Sequence, residues 1–343
     1  MSPSQAKLSI AAAVLGALSV FSYVESVSRA DRFESGQKFL PNLDPDSIAG
    51  VVVRGAESTV TLTREGDRFV VAEAQGYRAR NDTVNRLVRD LLELELERRA
   101  GSGDDLAREV GLEPLGEGAV EITLSNASGA EMVAVRIGDR VEEGQGRFVQ
   151  RVDGNDRAIY RSASGASFDD QVASYLEKEI VDVQAAAIER IEGADFVLAR
   201  GEEGGALELV EPAGSADSAD VSKLSSFLNR LRFEQVFVAD DPEVAPLRFE
   251  PVLRYALDDQ SGYVVYHAES EGRHFVRLNG FFGVESIEIT RDTPDDELEE
   301  KSKVLKRADE IDRFNQYHGS WVYELAEYDA EKLALRASDL AEG

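Results

Sequence analysis

Shifting this chain against itself by 137 residues (221 − 84) lays Val84, Leu87, Leu91 and Leu94 over Val221, Leu224, Leu228 and Leu231. Both sets have the spacing of one apolar helix face, so a single offset describes the same buried stripe twice. Such a stripe needs a sheet to bury against, and a repeat supplies that sheet in each copy.

The flanking sequence reads accordingly. Short strands are expected at 48–53, 60–63 and 68–71, separated by Gly-containing turns. A helix follows, with Val84, Leu87, Val88, Leu91 and Leu92 on one face and Asn81 or Asp82 as N-cap; the Gly/Ser stretch 101–103 is expected to end it. Four β-like runs, 120–124, 132–137, 147–152 and 158–160, form a meander, with Asn126 to Gly129 and Asp153-Gly154-Asn155 as turns. Ser167 then opens a short helix whose stripe is Phe168, Val172, Tyr175 and Leu176.

From about residue 188 the order starts again, and its meander is read at 252–257, 263–267, 275–278 and 321–323. Before the last of these runs lies an extra stretch, about 281–318. Its pairs Glu297/Lys301 and Glu299/Lys303 stand four apart in the favourable order, which predicts a solvated helix over 294–317. A helix present in one copy only is where asymmetric function would live; the plainer reading is that it covers a sheet edge.

Residues 8–24, LSIAAAVLGALSVFSYV, carry no charge. As a helix they span about 25 Å, slightly less than a hydrocarbon layer of about 30 Å. Leu8, Ile10, Val14, Leu15, Leu18, Val20, Phe21 and Val24 would form the membrane anchor. An uncleaved signal anchor fits the length of the run; a cleaved signal peptide fits the small residues of Ser28-Arg29-Ala30; a buried helix is the third reading. The expected class is α+β, a tandem pair of units of antiparallel strands with amphipathic helices behind one transmembrane helix. Residues 1–7 are expected in the cytoplasm, 8–24 in the membrane and 25–42 as linker. The first αβ unit is then 43–180 and the second 181–343.

Composition removes several chemistries. The chain has 343 residues, with 66 acidic side chains against 38 basic ones and a net charge of −28, a balance that repels nucleic-acid phosphates. With no cysteine there is no disulfide, thiolate zinc site or cysteine nucleophile. Gly101-Ser102-Gly103 lacks the lysine and spacing of a phosphate loop, and Gly165-Ala166-Ser167-Phe168-Asp169 lacks the final glycine of a nucleophile elbow. Asp153-Gly154-Asn155-Asp156 lacks the distal glutamate of a calcium loop. If Glu271-Gly272 is a two-residue turn, His267, Glu269 and His274 share one face of a hairpin, a set that reads first as cross-strand polar pairing. No catalytic residue, cofactor or metal site is therefore assigned. Phe281 and Phe282, adjacent aromatics at a Gly-flanked loop, are the candidate partner contacts.

The stretch L-D-P-D-S-I-A-G-V-V-V (43–53), then G-L-E-P (111–114), I-G-D (137–139) and W-V-Y-E-L (321–325), resembles the bacterial family called domain of unknown function 4340. The resemblance implies one N-terminal membrane segment, a repeated strand-rich ectodomain and association with an ABC-type transporter. It brings no catalytic residues. The expectation is a non-enzymatic accessory or scaffold subunit on the bacterial inner membrane, its bulk in the periplasm and its partners integral membrane transporter subunits. The alternative is an extracytoplasmic ligand-binding module with a cleft between the two repeats.

Overall fold

The computed structural model describes residues 36–142, 144–152, 157–201, 205–283 and 294–341. The expected anchor, the turn at 153–156 and residues 284–293 of the extra stretch lie outside the described residues. Among the described residues no helix is long and apolar enough to cross a membrane. The chain divides into two compact units between Glu177 and Lys178.

The first unit begins with β1 (Gln37–Lys38) and a 3-10 turn, Pro45–Ser47, whose Asp44 side chain accepts from the Asp46 N–H at 3.1 Å. Next come β2 (Gly50–Arg54), β3 (Thr59–Glu65), β4 (Arg68–Val71), β5 (Tyr77–Arg78) and helix α1 (Asn81–Leu92), which buries Val84, Leu87 and Leu91. Then follow β6 (Glu95–Ser102), α2 (Asp104–Glu109), the meander β7 (Val120–Ser125), β8 (Glu131–Arg140), β9 (Arg147–Arg151), β10 (Ala158–Ser162), and a single turn, α3 (Val172–Tyr175). The sheet order is β1-β6-β10-β9-β8-β7-β2-β3-β4-β5.

Four expectations change here. Residues 25–42 are not linker to their end: Gln37 and Lys38 pair with β6, and Phe39 and Leu40 are buried. A polar two-residue strand shows no alternation, so only the unpaired edge of β6 reveals it. The α1 N-cap is Arg80, because the Asn81 side chain accepts from the Phe69 N–H at 3.3 Å and ties the helix start to β4. Gly101–Gly103 does not end α1; Leu94 and Leu96 continue the burial at a period of two, with Glu93, Glu95 and Glu97 outward, and the chain is a strand before it reaches the glycines. Ser167 does not cap α3. The N-cap is Gln171, without a side-chain cap bond, and Asp169 braces the turn by accepting from the Gln171 N–H at 2.8 Å and from Ser174 Oγ at 2.6 Å.

The second unit contains β11 (Glu179–Val181), β12 (Ile188–Glu192), β13 (Val197–Arg200), β14 (Leu207–Glu211), α4 (Ser218–Ser225), β15 (Leu231–Arg232) and β16 (Gln235–Val238). The meander β17 (Glu250–Leu257), β18 (Ser261–Ser270) and β19 (Arg273–Phe282) follows, then α5 (Asp295–His318), β20 (Trp321–Leu325), α6 (Glu327–Leu333) and α7 (Ala337–Leu340). Its main sheet has the order β14-β13-β12-β17-β18-β19-β20-β16, while β11 pairs with β15. Read from β6 and from β16, the two orders are β6-β10-β9-β8-β7-β2-β3-β4 and β16-β20-β19-β18-β17-β12-β13-β14, which are the same topology. The 137-residue offset reaches single hydrogen bonds. Arg80 N donates to Tyr175 O at 2.7 Å, and Asp217 N (80 + 137) donates to Leu340 O at 2.8 Å.

Each sheet buries one face under its amphipathic helix, and the long connection into the meander covers part of the other. In the first unit Ala107, Val110 and Leu112 pack on Ile159 with Phe148 alongside; in the second, Val244 packs on Phe237, Phe275 and Val322 with Leu247 and Phe249. The Glu271-Gly272 turn has φ of 55° and 74°, the pair of positive values that a two-residue hairpin matching the strand twist requires.

Candidate functional site

The second unit departs from the first at α5. The connection from β9 to β10 is six residues long (152–157), too short to hold a helix of this size, whereas β19 and β20 are separated by the 24 residues of α5 and its flanks. β20 pairs with β19 only at His274, Phe275 and Val276, which leaves the outer edge of residues 277–282 without a strand. The C-terminal half of α5 fills that gap. Asn315 Oδ1 accepts from Gly280 N at 2.7 Å and its Nδ2 donates to Gly280 O at 2.8 Å, the pair of bonds a neighbouring strand would make. The approach is close: a Cβ at Gly280 would meet the Ile311 side chain at 3.0 Å and push it back by a few tenths of an ångström.

Burial supports the clamp. Ile311 is buried, the Phe314 ring stands edge-on to Tyr263 at 5.1 Å, and His318 Nδ1 is 2.5 Å from the Tyr323 hydroxyl. Arg307 joins Asp259 at 2.7 Å and reaches Ser261 Oγ at 3.1 Å. The helix therefore closes the stretch of β19 edge that β20 leaves open, and its Ile311 and Phe314 pack beside that edge. Its N-terminal half is a charged ladder: Lys301–Glu297 at 3.5 Å and Lys303–Glu299 at 2.7 Å, both in the order read from sequence.

Phe281 and Phe282 are not in a loop. They end β19, opposite Gly262 and Ser261, because the aromatic pair continues the β18–β19 ladder through to residue 282. Both are half-buried, and the Arg254 guanidinium lies 3.7 Å over the Phe281 ring. At the other end of the hairpin Glu269 stands opposite His274, and His267 Nε2 lies 3.1 Å from His274 Nδ1. Burial, then the adjacent His274 ring, lowers the His267 pKa, with Glu269 opposing. Among the described residues no group of three or more His, Asp or Glu is arranged to hold a metal ion. Arg273 anchors the same end to Glu243 and to Glu324, the latter at 2.9 Å, and the Glu324 bonds raise its pKa against its burial.

The remaining sequence features are structural. Gly101 and Ser102 end β6, paired with Ile159 and Ala158, and Gly103 precedes the six-residue α2. A cavity of about 720 Å³ in the first unit, lined by Arg54, Arg108, Arg136 and the cis Glu113-Pro114 bond, was not legible in the sequence. Its arginines are already partnered: Arg54 and Arg136 both reach Glu121 at 2.7 Å, and Arg108 reaches Asp105 at 3.1 Å.

Two mixed α+β units of common strand order, one carrying an inserted helix, define the class of protein. The family described as Domain of unknown function (DUF4340) matches residues 70–250, which is more than half of the chain. The chain belongs to this family. No curated protein and no solved structure matches it.

Proposed function

We propose that this protein is a non-enzymatic accessory or scaffold subunit of a bacterial cell-envelope complex, held to the inner membrane by residues 8–24 and docking on integral membrane subunits of an ABC-type transporter. The observation that carries the reading is α5: one unit of a matched pair bears a long helix, clamped at its C-terminal half and presenting a ladder of charges on its N-terminal half. A surface helix rigidly fixed at one end offers a partner a preorganised face, which lowers the ordering cost of association. The uncharged run at 8–24 supplies the tether, and the bulk of the chain then lies in the periplasm.

The test has two arms. After cell breakage and ultracentrifugation without detergent, the full chain is expected in the membrane pellet, and recovery in the supernatant refutes the tether. From a detergent extract, the full chain should bring down a transporter subunit, and Glu297→Lys with Glu299→Lys should lose it while the melting temperature holds. Co-purification indifferent to that charge reversal removes α5 from the interface.

A further inference from the structure

The two units have one position whose arginine they use in opposite ways. Gly50 pairs with Thr63 and Arg190 pairs with Ala199, so Arg64 and Arg200 are the next residues of register-equivalent strands, each facing the 3-10 turn that starts its unit's sheet. In the second unit Arg200 closes that turn. Its Nη2 donates to Ala185 O and Ile188 O, both at 3.0 Å, and its Nε donates to Ile188 O at 3.2 Å. The adjoining hollow, about 470 Å³, is lined largely by Ala and Ser side chains such as Ala186, Ala206, Ser222 and Ser225.

In the first unit the Arg64 guanidinium instead lies 5.0 Å over the Phe69 ring. The groove left open beside it is about 550 Å³, within the ~300–1,000 Å³ range of small-molecule sites. Its floor is apolar: Leu40, Leu43, Ile48, Phe69, Val88 and Leu92. Val88 stands where the second unit has Ser225 (88 + 137), so the repeat does not require this lining. At the rim are Lys38, Arg64 and Arg89 against Asp46 and Glu93, a local balance of one positive charge in a chain of net −28. Arg89 also lies 3.8 Å from Asp90.

We propose that this groove of the first unit binds a single-chain amphiphile with an anionic head, the hydrocarbon along α1 and the head at Arg64 and Lys38. An apolar trough alone would take any hydrocarbon; the cations at its rim select the charged head. The inference is independent of the transporter reading, since it concerns the first unit and not α5.

The full chain, carried in neutral lipid nanodiscs to avoid competing detergent, is incubated with a twelve-carbon carboxylate bearing a photoreactive diazirine, kept below its micelle concentration. Adducts are mapped by mass spectrometry. Labelling is expected within 40–48 and 85–92, competed by dodecanoate and about tenfold less by dodecanol, and reduced about tenfold in Arg64→Gln. Val88→Ser, which installs the second unit's residue, should also weaken it, and circular dichroism melts of both variants verify the fold. Equal competition by dodecanol, labelling unaffected by Arg64→Gln, or labelling seen only when anionic vesicles replace the monomeric carboxylate each overturns the proposal.

Discussion

Replacing Asn315 by alanine isolates the contact that fixes α5 to its sheet. The side-chain amide gives and takes one hydrogen bond with Gly280, at 2.8 and 2.7 Å, on a strand edge that β20 does not reach. Two neutral hydrogen bonds contribute about 0.5–1.5 kcal/mol each. Removing both partners at once leaves a half-buried N–H and C=O under the helix, so the loss is expected near 2 kcal/mol. In a unit of this size that lowers the melting temperature by about 4–8 °C. Asn315→Asp is the sharper control: it keeps the acceptor for Gly280 N but turns a carboxylate oxygen toward Gly280 O, and should be at least as damaging as alanine. The assay is chemical denaturation of the full chain with hydrogen exchange followed at the Gly280 amide, because a two-unit chain need not unfold in one step. A stability change under about 0.5 kcal/mol, with exchange at Gly280 unaltered, would refute the view that Asn315 substitutes for a strand.

Three other perturbations probe different parts of the argument. Leu91→Ala and Leu228→Ala remove fully buried side chains at positions related by the 137-residue offset, one in α1 and the other in the turn that follows α4, and each should cost about 2–5 kcal/mol, measured in urea; a large cost at one and none at the other would contradict equivalent packing at the two positions. His267 has a pKa lowered by burial and by His274, so between its folded value and the unfolded value near 6.5 the unfolded chain binds the extra proton. Stability of the wild type should therefore fall as pH drops below about 6.5 and His267→Asn should flatten that slope; parallel pH–stability curves for the two proteins would exclude the effect. Breaking the Arg254–Phe281 contact should show a coupling energy of about 0.5–2 kcal/mol in a double-mutant cycle of Arg254→Ala and Phe281→Ala, and strict additivity would mean the 3.7 Å approach contributes nothing.

Local signals made much of the architecture legible. Val84, Leu87 and Leu91 are buried as the helical period requires, Glu271-Gly272 turns the hairpin as its residue types require, and the salt-bridge spacing over 297–303 marks α5. What escaped depends on partners distant in sequence. Gln37 and Lys38 are strand only because β6 has an edge to offer, and Phe281 and Phe282 are strand only because Ser261 and Gly262 stand opposite. The cavity at Arg136 and the groove at Arg64 join segments that no short window contains together.

The amino-acid order by itself determined which faces are apolar, where the chain turns and that the pattern recurs, since periodicity and turn chemistry act between residues a few positions apart. Only the tertiary structure decided that Asn315 completes a sheet, and that Arg64 lies on a ring while Arg200 closes a turn. Those outcomes depend on which polar groups remain unsatisfied once the strands have paired, a quantity that exists only after distant segments meet.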